Sequence, residues 1–347
     1  MACTVKNISV AFDLMNESIT FTNGDYISGQ VTLEVAKETH IKSLLIKAKG
    51  KASVLWSEHY GNNITVTFYD KETCYKSIQY FIQEEKKGDD GYSLLTNEFG
   101  QCYSRIIQPG IHVYPFTFQI PHQDMPASFK GTHGKVVYSL EAKLCRSMSV
   151  PKKAKVHFYY VPQGDMSTPD LMMSQHGYKE KKMKFFTSGS VAMDVHTEKT
   201  GFHLGEQIKV KVDIVNNSSR TIKPKFSLYQ KQSCFAAKKR KVCTKELLKE
   251  KGDPIDPSTK QCVIKVLNIP ADTCVSILNC KVLKVEYRLK VYLDIKFANN
   301  PEIKLPVVIL PISVTQENAD VANAKPMDIG FETWMSKQAD LNPLSFD

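Results

Sequence analysis

The chain has 347 residues, 42% of them hydrophobic and 24% charged. That length suggests two domains or one large one, and that composition excludes a wholly disordered or fibrous chain. The formal net charge of +10 bears on partners and solubility rather than on fold.

Residues 1–17 carry Asp13 and no apolar run of the kind a secretory signal uses. The longest mostly apolar stretch, Leu305–Val314, contains Pro306, Pro311 and Ser313 and is far short of the roughly 20 residues that cross a bilayer. Nine cysteines, an odd number with no C-x-x-C spacing, fit a cytosolic chain with reduced thiols. Five N-x-S/T sequons, at Asn7, Asn16, Asn63, Asn216 and Asn217, are then chance matches.

Along the chain the dominant periodicity is two, the strand signal. Tyr114, Phe116, Phe118 and Ile120 alternate with smaller or polar residues, as do Val136, Tyr138, Leu140, Ala142 and Leu144, then Val156, Phe158 and Tyr160. In the second half Ile208, Val210, Val212 and Ile214 alternate with Lys209, Lys211 and Asp213, and Tyr287, Leu289, Val291, Leu293 and Ile295 repeat the pattern. One apolar and one mostly polar face predicts half-buried antiparallel strands. Turn residues punctuate them at Asn23-Gly24-Asp25, Gly61-Asn62-Asn63, Gly88–Gly91, Asn216-Asn217 and Asn299-Asn300-Pro301. Gly24, Gly29, Gly131 and Gly134 are expected at turns or close approaches. Lys238–Lys251 is rich in helix formers and reads either as a short helix or as a basic hairpin arm; the surrounding pattern favours the arm.

The chain also repeats itself. Tyr138 lies 17 residues past Ile120-Pro121, Tyr287 lies 17 past Ile269-Pro270, and the offset is 149 in both cases. Gly24-Asp25 leads into a strand as Gly205-Glu206 does, and Ile41-Lys42 echoes Ile222-Lys223. One β-domain used twice is the reading. It divides the chain into 1–161, a linker at 162–178, 179–315 and a polar, acidic, flexible tail at 316–347. Charge follows this division: residues 1–175 hold 18 Lys+Arg against 17 Asp+Glu, residues 176–315 hold 26 against 13, and residues 316–347 hold 2 against 6.

Several motifs resemble the arrestin superfamily and, within it, the alpha-arrestins. They are Gly24–Val31, Tyr114–Pro121 and Ser128–Tyr138 in the first repeat, and Asn216–Ile222, Ile269-Pro270, Ser276–Cys280, Val285–Leu289 and Leu305–Ile309 in the second. The resemblance covers residues 5–315. It implies two tandem arrestin-like, immunoglobulin-type β-sandwich domains in an all-β chain. It also implies a cytoplasmic adaptor, peripheral to the plasma membrane or endosomes, that binds receptors and transporters and directs their trafficking. Many relatives recruit ubiquitin ligases through PPxY motifs in a tail. The tail here has only Pro326 and Pro343, so ligases are expected as partners only indirectly. The lysine pair with which visual and beta-arrestins sense phosphate is absent from the first strand, Asn7–Leu14. A coat-like subunit of an endosomal sorting complex is the alternative that shares the fold.

Chemistry-bearing constellations are sparse. The nine histidines form no H-E-x-x-H and no tight cluster with cysteine, so neither a metal nor a cofactor is expected. There is no G-x-S-x-G elbow, and Gly131–Lys135 is too short for a phosphate loop, so no enzyme is expected. What remains is charge. Lys238, Lys239, Arg240 and Lys241 form one cluster; Lys179, Lys181, Lys182 and Lys184, followed by Phe185 and Phe186, form another. Both read either as solvated surface or as a site for anionic phospholipid, where each basic residue near the leaflet contributes about 1 kcal/mol. No RNA- or DNA-binding pattern accompanies them, so nucleic acid is not an expected partner. The acidic tail is expected to lie loosely against one of these clusters and to compete with the membrane.

Overall fold

A computed structural model of the chain describes residues 4–13, 19–61, 64–83, 93–164, 166–183, 189–296 and 299–312. Two compact units emerge. The first is Met1–Gln163 with Gln230–Lys245 and Ile277–Glu286; the second is Gly164–Tyr229 with Glu246–Ser276 and Tyr287–Asp347.

The first unit contains β1 (Val5–Phe12), β2 (Thr20–Phe21), β3 (Tyr26–Val35), the long pair β4 (Thr39–Tyr60) and β5 (Ile64–Ile82), and short β6 (Ser93–Leu94) and β7 (Ile106–Ile107). It continues with β8 (Gly110–Gln119), β9 (Phe129–Lys130), β10 (Gly134–Arg146) and β11 (Lys152–Tyr160). A single turn of helix, α1 (Pro169–Met172), and β12 (Gln175–Lys182) follow. Next come β13 (Gly189–Thr197), β14 (Gly201–His203), β15 (Gln207–Ser218), β16 (Lys223–Ala236) and β17 (Lys239–Lys251). β18 (Thr259–Asn268), β19 (Leu283–Asp294) and β20 (Glu302–Leu310) close the described chain. One end of each of β16, β17 and β19 belongs to the first unit.

The period-two pattern does what it predicts. Ile208, Val210, Val212 and Ile214 are buried along β15, as are Tyr287, Leu289, Val291 and Leu293 along β19, while their neighbours face outward. Burying such a side chain contributes about 1.5–3 kcal/mol. That is why each sheet presents one face to a core and the units are β-sandwiches. In the first, Tyr138 packs its ring against Tyr160 and Phe158 at centroid distances of 5.0 and 5.8 Å, and Phe21 meets Phe158 edge-on at 5.7 Å.

The duplication is visible in the topology. The main sheets run β1-β3-β8 and β2-β11-β10-β4-β5 in the first repeat. They run β13-β15-β18, with β12 added outside β13, and β14-β20-β19-β16-β17 in the second. The pairs β2–β11 and β14–β20 are both parallel. Tyr138 lies opposite Phe158 and Tyr287 opposite Val307, so the 149-residue offset holds on two strands at once. Both tyrosine hydroxyls donate to a backbone carbonyl in the preceding loop, Tyr138 to Pro126 at 2.7 Å and Tyr287 to Cys274 at 2.5 Å. Ser128 Oγ accepts from Tyr160 N–H and Ser276 Oγ from Ile309 N–H, each at 2.9 Å. At the β2–β3 and β14–β15 turns, where the chain crosses between sheets, Gly24 and Gly205 take φ of +84° and +79°, open to glycine without a Cβ clash. The acid that follows each one, Asp25 or Glu206, accepts from the N–H three residues back. At Gly29, Gly131 and Gly134 a Cβ would come within 3.0 Å of a neighbouring atom, so these are close-approach positions.

One expected turn is not a turn. β15 runs straight through Asn216 and Asn217. Asn216 is fully buried, and its side-chain amide donates to the carbonyls of Arg220, Ile255 and Asp256 at 2.8, 3.2 and 3.0 Å. It staples a loop to the strand, which a local reading of Asn-Asn cannot anticipate.

Candidate partner-binding surfaces

The Lys238–Lys251 segment forms the arm of a hairpin, not a helix. Its strand β17 is joined to β16 by the two-residue turn Ala237-Lys238. Both turn residues have positive φ, 47° and 63°, the geometry whose twist matches a hairpin. Lys238 therefore stands at the tip.

Strand alternation splits the rest of the cluster. Lys241 approaches Glu58 Oε1 at 4.0 Å. The Glu58 carboxyl is held below the usual carboxylate range, first by hydrogen bonds from Tyr60 and Trp56 and then by Lys241 and Lys239. Arg240 points the other way, donating to Ser233 Oγ at 2.8 Å with its guanidinium 5.6 Å from the Phe235 ring centre. Lys238, Lys239 and Arg240 share a shallow cleft of about 380 Å³ with Asp70, Phe235 and Lys281. Residues 230–245 contain Lys231, Lys238, Lys239, Arg240, Lys241 and Lys245 and no acid. Such a cleft can hold a phosphate or carboxylate group through charge-assisted hydrogen bonds.

The other cluster lies in the second unit. Lys179 and Lys182 are exposed on β12, and Lys181 donates to the carbonyl of Asn299. Lys184, Phe185 and Phe186 lie outside the described residues, as does the tail 316–347. Among the described members of the two clusters, then, Lys238, Lys239, Lys179 and Lys182 are those that neither a hydrogen bond nor an ion pair engages.

Two groupings escaped the sequence reading. Cys74 and Cys280 meet at one acid: Cys74 Sγ donates to the Glu72 carbonyl at 4.0 Å, and the Glu72 carboxylate accepts from Cys280 Sγ at 3.4 Å and from Lys281 N–H at 2.7 Å. The cysteines are far apart in sequence, so no spacing rule could pair them. The other is a row of lysines at alternate positions, Lys47, Lys49 and Lys51, whose period-two signal was present but is not a contiguous basic run. Among the described residues no group of three or more His, Cys, Asp or Glu is placed to hold a metal ion, and no described helix is long and apolar enough to cross a membrane.

Comparison with known proteins agrees with this architecture. Residues 8–167 match the family described as arrestin (or S-antigen), N-terminal domain, and residues 187–314 its C-terminal counterpart. The chain is similar to arrestin domain-containing protein 4 of Mus musculus, with 30% identity over 335 residues covering 94% of this chain and 77% of the relative. The same protein of Homo sapiens is 29% identical over 339 residues, 95% and 78%. Thioredoxin-interacting protein of Rattus norvegicus is 29% identical over 312 residues, 88% and 74%.

Proposed function

This chain belongs to the alpha-arrestins, and from that premise we propose that it is a non-enzymatic cytoplasmic adaptor. It binds membrane receptors or transporters at the plasma membrane or endosomes and directs their endocytosis. The observation that carries this reading is the β16–β17 hairpin: an exposed turn with Lys238 at its tip, Lys239 exposed beside it, and no acid in residues 230–245. Exposed basic residues near an anionic leaflet each contribute about 1 kcal/mol. The β12 lysines, Lys179, Lys181 and Lys182, together with Lys184, support the same reading from the second unit. Residues 316–347 contain no PPxY, so any ubiquitin ligase is reached through these residues only indirectly. The matches to arrestin-domain relatives do not favour the coat-subunit alternative.

Proximity labelling in intact cells tests the proposal. A fusion of a labelling enzyme to the full chain should enrich integral membrane proteins over the labelling enzyme alone, and Lys238→Ala/Lys239→Ala should reduce that enrichment. The same labelled set from fusion and free enzyme would sink the adaptor reading.

A further inference from the structure

The turn that joins β10 to β11 carries a motif that the fold does not use. The two strands pair from Tyr138 opposite Phe158 to Leu144 opposite Lys152. Beyond that, Cys145 and Arg146 pair with Ser43 and Ile41 of β4, so residues 147–151 form a turn outside every strand. All five are exposed, Met148 and Val150 at 107% and 87%. Met148 has a φ of 50°, a left-handed conformation that a Cβ disfavours, so straightening the turn relieves strain at that residue. Ser149 Oγ donates to the Ser147 carbonyl at 3.3 Å, a long bond at the surface that a partner displaces at little cost.

The turn and its start read Arg146-Ser147-Met148-Ser149-Val150-Pro151, and residues 142–158 hold Lys143, Arg146, Lys152, Lys153 and Lys155 but no acid. The fold closes the same connection without these residues. In the second repeat, 149 residues on, Tyr292 lies opposite Glu302 as Lys143 lies opposite Lys153. There Asn300 Oδ1 accepts from the Ile295 N–H at 3.0 Å, ordinary turn chemistry for asparagine. Ile295 stands where the first repeat has Arg146, Ala298 where it has Ser149, and Asn300 where it has Pro151. Strand pairing alone therefore does not account for an arginine, a serine and a proline at this spacing.

We propose that Ser149 is a phosphorylation site for a basic-directed serine kinase, and that the phosphorylated turn docks a phosphoserine-reading protein. A kinase groove lined with carboxylates selects substrates by charge pattern, and Arg146 stands three residues ahead of the acceptor. In the transfer, Ser149 Oγ bonds to the γ-phosphorus of ATP, the bond to the β–γ bridging oxygen breaks, ADP leaves, and the hydroxyl proton passes to the kinase's catalytic base. The product carries about 1.5–2 negative charges at neutral pH in a segment whose charged neighbours are all basic. Such a phosphate is clamped by paired arginines of a reader through charge-assisted hydrogen bonds. Pro151 has no N–H and a fixed φ, so it turns the chain out of the reader's groove two residues past the phosphate. The inference goes beyond the adaptor reading and does not rest on it: the residues differ, and its test contains neither membrane nor cell.

The test treats the purified full chain with a calcium/calmodulin-dependent serine kinase and Mg-ATP, maps the phosphate by mass spectrometry, and titrates the product with a labelled 14-3-3 protein, a reader of this kind. Phosphate should appear on Ser149, and Arg146→Ala should slow its transfer about tenfold through the lost charge contact. The phosphorylated chain should bind the reader about a hundredfold tighter than the untreated chain. Ser149→Ala, at an exposed position, should keep the wild-type melting temperature and abolish the gain, while Pro151→Ala should accept phosphate normally and bind more weakly. Ser147→Ala should change neither step. A chain with phosphoserine incorporated at position 149 during synthesis separates the two steps. Kinase treatment that leaves Ser149 unmodified overturns the phosphorylation site. Equal binding by the phosphoserine chain and the untreated chain overturns the docking site, as does a gain that survives Ser149→Ala.

Discussion

At the scale of residues, the two tyrosine hydroxyls show how much rests on one hydrogen bond. Tyr138 and Tyr287 are both about 1% exposed, and each donates to a loop carbonyl. Removing a hydroxyl takes away the hydrogen bond to that carbonyl, which costs about 0.5–1.5 kcal/mol. Tyr138→Phe and Tyr287→Phe should each lower stability by that amount in chemical denaturation, without changing the fold seen by circular dichroism. His157 offers a pH signature. Burial first, and then Lys155 and Lys135, push its imidazole down from 6.5 to about 4. It is therefore neutral in the fold and takes a proton more readily in the unfolded chain. Its stabilising contribution is full above pH 6.5 and is lost as pH falls from 6.5 towards 4. At 1.36 kcal/mol per pH unit, and with an allowance for partial exposure, the loss is on the order of 2 kcal/mol. The difference in stability between the wild type and His157→Gln should shrink through that window; a difference that is flat with pH would show the imidazole to be unperturbed.

At the scale of elements, the β16–β17 turn is the place where the backbone opposes its own sequence. Ala237 and Lys238 occupy the left-handed region, which disfavours any residue with a Cβ by about 1 kcal/mol or more. Lys238→Gly should stabilise the chain by about 1 kcal/mol and at the same time weaken binding to anionic vesicles. Retaining a lysine there against the local preference fits a binding role at the tip. The same hairpin shows what could be read ahead of the structure. Alternation along β10, β15 and β19, and the glycines at the first turn of each repeat, were legible because strand period and turn chemistry are local. The arm from Lys239 to Lys251 was legible only from its neighbours, since Leu247, Leu248 and Glu246 are good helix formers and tertiary pairing overrides them. Asn216-Asn217 misled because the Asn216 side-chain amide bonds to Ile255 and Asp256, nearly forty residues away. The lysines of β4, β5, β10 and β11 did not read as a patch, because strand pairing, not sequence, brings them together.

At the scale of the whole molecule, one β-sandwich plan is used twice with different charge. The equivalents of Lys153 and Val137 are Glu302 and Glu286, so acids neutralise lysines in the second repeat where the first leaves them facing one another. On the proposed membrane reading, the basic residues that meet the leaflet are those of the hairpin tip and of β12. The tail of residues 316–347, two basic residues against six acidic, is proposed to compete for those lysines; its removal should tighten vesicle binding modestly, because exposed pairs are worth about 0–1 kcal/mol each. Co-sedimentation of the full chain with vesicles containing phosphatidylserine tests the membrane reading most directly. Lys238→Ala/Lys239→Ala removes two exposed cations and leaves the Arg240 contacts with Ser233 and Phe235 in place. At about 1 kcal/mol per basic residue, it should weaken binding roughly thirtyfold, and wild-type binding should fall as salt shortens the Debye length below about 8 Å. Binding that survives the double substitution unchanged and ignores salt would contradict a membrane-facing role for the hairpin.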